Sequence, residues 1–168
     1  MTDEPASDGT SGEAPDEATA TVAADAGTSA RARSTVVVAN QDAVVCEVLA
    51  RIAERGGHEV VRVTDPAQVS AAVLSATADA LVLDLGAGNA DALRPLRDGG
   101  SQRGADVRAI VICTGPANAL VAWHGDADEV LTRPFAATAL ESAIADSLRR
   151  PDDDRRARRA QQVAALSD

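Results

Sequence analysis

Apolar positions recur along this chain in two alternating rhythms. Short runs bounded by polar or turn-forming residues predict strands at 36–39, Glu59–Val63, Ala80–Leu83, 109–113 and Glu129–Thr132. Between them the apolar residues take helical spacing. Val45, Val48, Leu49 and Ile52 follow the first strand, and a helix over 90–97 follows the third. A brief helix over 118–124 precedes the last strand, and Leu140, Ile144 and Leu148 mark a closing helix. Before the helix between strands two and three, Asp65 stands as an N-cap, Pro66 at the first helical position and Gln68 as the far half of a capping box. Five strands alternating with helices predict an α/β fold with one doubly wound, five-stranded parallel sheet, in a domain spanning 35–150.

Composition sets off the two ends. Residues 1–34 are rich in Ala, Thr, Ser, Gly and acids, and such a segment cannot repay its ordering entropy; a disordered acidic tail is expected. Residues 151–168 open with a helix-breaking Pro, then set Asp152, Asp153 and Asp154 against Arg155, Arg156, Arg158 and Arg159. They read as a charged tail with a short frayed helix, the arginine patch giving slight support for an anionic partner.

A net charge of −10 opposes nucleic-acid binding by the chain as a whole. All 16 basic residues are arginine, and with one Trp, one Phe and no Tyr the core must be aliphatic. Cys46 and Cys113 fall in apolar patterns and read as buried free thiols, which fits a reducing compartment. No stretch is apolar enough for a membrane span and the first residues are unlike a signal peptide, so the expected location is cytoplasmic. His58 and His124 lack neighbours at ligand spacing. Trp123 reads first as packing and second as an exposed partner anchor.

In open parallel sheets, chemistry gathers at the carboxyl ends of the strands. Those ends carry Asn40, Gln41 and Asp42 after strand one, Asp84 after strand three, Thr114 after strand four and Arg133 after strand five. Each alone is an ordinary loop residue. Together, four strands deliver polar groups to one edge.

With "VVVANQD", "LVLDLGAGNAD", "VICTG" and "VLTRPF" in this order and spacing, residues 35 to about 149 resemble the receiver domain of bacterial two-component response regulators. The resemblance implies a flavodoxin-like fold with strand order 2-1-3-4-5. It makes Asp84 a candidate phosphoacceptor, Thr114 the switch hydroxyl, and Arg133 the partner of the phosphoryl group or of Asp84, standing where the family has lysine. Arg133–Pro134 takes the place of the family's cis peptide bond. A histidine kinase or phosphotransfer protein would be the donor, and a downstream protein the target. In the family, two acids after strand one and a carbonyl two residues past the acceptor hold magnesium. Here that set is Asn40, Gln41, Asp84 and the Gly86 carbonyl, with Asp42 as a substitute acid, so the implied magnesium site is weak. Asp42 reads first as a helix cap.

Three departures separate the chain from the family pattern. Asn40-Gln41 replaces the acidic pair, Arg133 replaces lysine, and Val130 stands where a rotating aromatic side chain is common. The segment between Thr114 and Arg133 is also shorter than in common family members. A planar guanidinium pairs bidentately with carboxylates, so Arg133 could lock Asp84 as readily as bind a phosphoryl group. The expected function is a stand-alone atypical receiver in phosphorelay signalling, not an enzyme, acting through protein contacts on the face made by its last strands and helices. The alternative is a pseudo-receiver adaptor that signals by binding only. A nucleotide-binding or phosphatase-like enzyme is disfavoured: "ANQDA" is no glycine-rich phosphate loop, and no second acid stands two residues after Asp84.

Overall fold

The computed structural model describes residues 33–168; the expectation of disorder for 1–34 therefore lies almost wholly outside the described residues. The five strands are β1 (Thr35–Ala39), β2 (Glu59–Val63), β3 (Ala80–Leu83), β4 (Arg108–Cys113) and β5 (Glu129–Thr132). They form one parallel sheet in the order β2-β1-β3-β4-β5. The helices are α1 (Ala43–Arg55), α2 (Val69–Ser75), α3 (Asn89–Asp98), α4 (Gln102–Asp106), α5 (Pro116–His124), α6 (Ala137–Arg149) and α7 (Asp152–Ser167).

Successive strand side chains point to opposite faces, so each central strand feeds two cores. Val36, Val38, Ala80, Val82, Ile110 and Ile112 pack under α1 and α6 against Leu49, Ile52, Leu140 and Ile144. Val37, Leu81, Leu83 and Val111 face the other way, toward Val69 and Val73 of α2, Leu93 and Leu96 of α3 and Ala122 of α5. Burial on both sides is why these strands read as unbroken apolar runs. Cys46 and Cys113 are both buried and free.

Asp65 accepts from the Ala67 N–H at 3.0 Å, as a cap should. It caps a single 3-10 turn, Pro66–Gln68, and α2 begins one residue later with no side-chain cap from Gln68. The capping box is thus only half made.

The carboxyl-terminal segment departs most from expectation. Asp152–Ser167 is a 16-residue helix docked on the domain, with three of its four arginines turned inward. Asp128, just before β5, is the anchor, and its side chain is wholly buried. It accepts from Arg155 Nε and Nη2, Arg159 Nη2, Arg97 Nη2 and the Ala109 backbone N–H. Arg158 pairs with Glu129 at 2.6 Å and lies over the Trp123 ring. Arg155, Arg158 and Arg159 therefore serve internal carboxylates and not an outside anion. Arg156 alone of the four pairs outward, with the exposed Asp153. Trp123 is 4% exposed, which settles it as packing.

Burial opposes ionisation of Asp128, but the Arg155 hydrogen bonds and the Arg159 and Arg155 charges outweigh it and hold the carboxyl below its ordinary value. Burial, aided by Arg159 and Arg155, pulls Arg97 down to about 10 against the pull of Asp128, which leaves it charged at neutral pH. No helix among the described residues is long and apolar enough to cross a membrane.

Candidate functional site at the carboxyl edge of the sheet

Strand pairing carries the candidate residues to one edge. β1, β3, β4 and β5 run parallel in neighbouring positions, so Asn40, Asp84, Thr114 and Arg133 each leave the sheet at its carboxyl end. The ladder extends past the strands: Asp84 N–H donates to the Ala39 carbonyl and Arg133 N–H to the Cys113 carbonyl, both at 3.0 Å. Backbone bonds thereby fix the origin of both side chains. Arg133–Pro134 is a cis peptide bond, as the resemblance implies. Gly115, at φ 79°, supplies the left-handed turn that takes the chain from β4 into α5, where Pro116 occupies the first turn.

One oxygen of Asp84 takes two donors. Asn40 Nδ2 donates to Oδ2 at 2.7 Å, and the Arg133 guanidinium donates to the same atom through Nη2. The Asp84 side chain is only 10% exposed, whereas that of Arg133 is 44% exposed and lies 6.0 Å from the Phe135 ring centroid. The orientation of Asn40 is fixed by partners that allow no choice. Its Oδ1 accepts the Asp42 backbone N–H at 2.7 Å, so its amide nitrogen must face the carboxylate.

These bonds bear directly on a magnesium ion. Asp42 accepts from the Val44 and Val45 N–H groups at the start of α1, confirming its capping role. The Gly86 carbonyl accepts the Asn89 N–H within a 3-10 turn, and Gln41 is exposed. Asn40 presents an amide nitrogen, which cannot ligate a cation, and its oxygen is already used. No group of three or more His, Cys, Asp or Glu side chains among the described residues could hold a metal. A hard cation wants several free oxygens, usually with carboxylate charge. The residues present do not fit magnesium.

Thr114 and Arg133 line one cleft with Asp84, together with Gly86, Asn118 and the apolar side of α3. Asn118 Nδ2 donates to the Thr114 carbonyl at 2.7 Å. The predicted convergence of Asn40, Asp84, Thr114 and Arg133 is therefore present, with Asn40 in direct contact with Asp84, Asp42 taken up as a helix cap and Gln41 left outside. Burial pushes the Cys113 thiol up, partly offset by Thr132, so it enters the wall as a neutral group.

Asn89 is a residue that strand-end reasoning missed. It is 8% exposed; Oδ1 accepts the Leu85 N–H at 2.8 Å and Nδ2 donates to the Ile112 carbonyl at 3.0 Å. It ties the loop after Asp84 to β4. The available signal was an amide at the first position of a helix, three residues before the core-facing Ala92 and Leu93.

No family model matches the chain, and neither does any curated protein. Solved structures do match. A sensor protein from Polaromonas sp. JS666 aligns with a TM-score of 0.61 at 18% identity, over 73% of this chain and 98% of that one. A response regulator receiver domain protein from Clostridium thermocellum aligns with a TM-score of 0.59 at 17% identity, over 68% and 94%. A response regulator signal receiver domain from Bermanella marisrubri gives 0.61 at 19%, over 69% and 98%. The fold is the receiver fold. Its sheet order, 2-1-3-4-5, is the one the sequence resemblance implied. Within that fold, α7 lies against α5 and β5, so the face expected to meet a partner already carries a segment of the chain itself.

Proposed function

We propose that this chain is a signalling module of receiver type whose output is protein binding, with Asp84 kept as the ion-pair partner of Arg133. One observation carries this reading: Asp84 Oδ2 holds both the Asn40 amide and the Arg133 guanidinium. A carboxylate nucleophile needs an exposed lone pair and nearby positive charge that is free to receive the incoming phosphoryl oxygens. Here the nearest cation is already neutralised by the nucleophile. The proposed setting is cytoplasmic, with a downstream protein as partner.

A second reading is supported by Thr114, whose hydroxyl shares the cleft with Asp84. Under it Asp84 is a slow phosphoacceptor. An oxygen of its carboxylate attacks phosphorus, the acyl-phosphate bond forms, and the bond to the donor, a histidine kinase or phosphotransfer protein, breaks. Arg133 then turns from the carboxylate to the phosphoryl oxygens.

Intact mass after incubation with magnesium and acetyl phosphate separates the two, with Asp84→Ala as control. The first reading expects no adduct and no magnesium binding by titration. A base-labile phosphoryl adduct absent from the control would establish the second.

A further inference from the structure

The cleft beside Asp84 has a volume of about 230 Å³ and opens between α3 and α5. Leu93 and Val111 are buried and form its apolar side, while Ile112 contributes only backbone there, its side chain lying in the opposite core. Gly86, Ala87, Ala90 and Gly125 keep the walls apart because none of them carries a side chain beyond Cβ. Thr114, Asn118 and Arg133 are exposed and stand with Asp84 on the solvent side. Apolar walls with a few convergent polar groups are the usual makeup of a small-ligand site. Drug-sized ligands occupy roughly 300–1,000 Å³, and a cavity of about 150 Å³ takes a benzene ring. This cleft thus suits one ring and one head group.

The polar groups specify that head. Asp84 uses Oδ2 for both of its donors, which leaves Oδ1 as an acceptor with no partner among the described residues. Arg133 spends only Nη2 on Asp84, so its remaining N–H groups can donate, and Thr114, which lines the same cleft, carries a hydroxyl donor. Acceptor and donors therefore stand side by side. Asp84 and Arg133 cancel in charge, so a carboxylate would meet Asp84 and an ammonium would meet Arg133, each with an unpaired desolvation cost. A neutral group with adjacent N–H and C=O meets neither penalty.

We propose that this cleft binds a small neutral carboxamide with a compact alicyclic or branched aliphatic body. The amide N–H donates to Asp84 Oδ1, its carbonyl accepts from Arg133 and Thr114, and the hydrocarbon lies on Leu93 and Val111. This assignment goes beyond the signalling reading and does not depend on whether Asp84 accepts a phosphoryl group.

Three probes of like shape test it: cyclohexanecarboxamide, cyclohexanecarboxylate and cyclohexylmethylammonium, each titrated into the full chain while backbone amide resonances are followed. The carboxamide should give saturable shifts at Gly86, Thr114 and Asn118, with a Kd about tenfold or more below those of the charged probes. Ala90→Leu, which fills the cleft from a partly exposed helix position, should weaken it about tenfold. Thr114→Val removes one donor from an exposed loop, keeps the fold testable if Ala90→Leu does not fold, and should weaken binding severalfold. The proposal is overturned by shifts that do not saturate or that centre elsewhere. Equal or tighter binding of a charged probe, or unchanged binding in both folded variants, overturns it as well.

Discussion

Arg155 grips both oxygens of Asp128, Nε on Oδ1 at 2.7 Å and Nη2 on Oδ2 at 3.0 Å, across 27 positions of sequence. This fork joins α7 to the start of β5, and Arg97 and Arg159 complete it. Asp128→Ala would leave three arginines around an empty place, and breaking a buried pair from one side costs about 3–5 kcal/mol. Arg155→Ala should cost less, since Asp128 keeps two cations. Urea unfolding of both variants tests the order.

The same carboxylate sets an acid limit. Its folded-state pKa is lowered, so its contribution is complete above the unfolded carboxyl value of about 4 and is lost as pH falls through the folded one. Wild-type stability should therefore drop more steeply below about pH 4 than that of Asp128→Asn. Denaturant midpoints measured between neutral pH and pH 3 give the two slopes.

Removal of residues 151–168 should uncover Trp123, the only tryptophan of the chain. Its emission should shift to the red and its quenching by iodide should rise. Arg158→Ala, which removes the contact over the ring and the Glu129 pair while leaving α7 in place, should produce a smaller shift. Steady-state fluorescence compares all three chains.

Restoring the acidic pair should restore the cation. In Asn40→Asp/Gln41→Asp, two carboxylates join Asp84, and calorimetric titration should detect magnesium where the parent shows none. The parent's amide bond to Asp84 is lost, and a hydrogen bond to a charged group is worth about 1.5–3 kcal/mol. The double variant should accordingly be less stable without the ion and recover on adding it.

Arg133→Ala should barely change stability, because a pair with one half-exposed member contributes only about 0–1 kcal/mol. Backbone resonances of Gly86 and Thr114 should move while those near Asp128 stay fixed. Thermal melts and amide spectra report the two effects.

The sheet was legible because its central strands are buried on both faces. Val36 through Ala39 and Ala80 through Leu83 show no polar interruption, and β2, β3 and β5 have the bounds expected from the sequence. The site's convergence was legible from parallel topology alone, which forces residues 84, 114 and 133 to one edge. What composition hid was α7. Its mean character is charged, and isolated short helices are marginal in water, so a frayed tail was the natural reading. Yet Arg155 and Arg159 stand four apart on one helical face, and the carboxylate they need, Asp128, lies 27 and 31 positions earlier. Pairing over that separation leaves no local periodicity. The engagement of Asn40 with Asp84 was hidden for a similar reason, since the partners are 44 positions apart.

β5 is only four residues long, yet arginine pairs close on it from both directions: Asp128 immediately before it and Arg133 immediately after it. The buried Asp128 cluster holds the amino end of this edge strand firmly, whereas the half-exposed Asp84–Arg133 pair holds its carboxyl end only weakly. Fraying of the outermost strand should therefore begin beside Asp84 and reach the α7 side last.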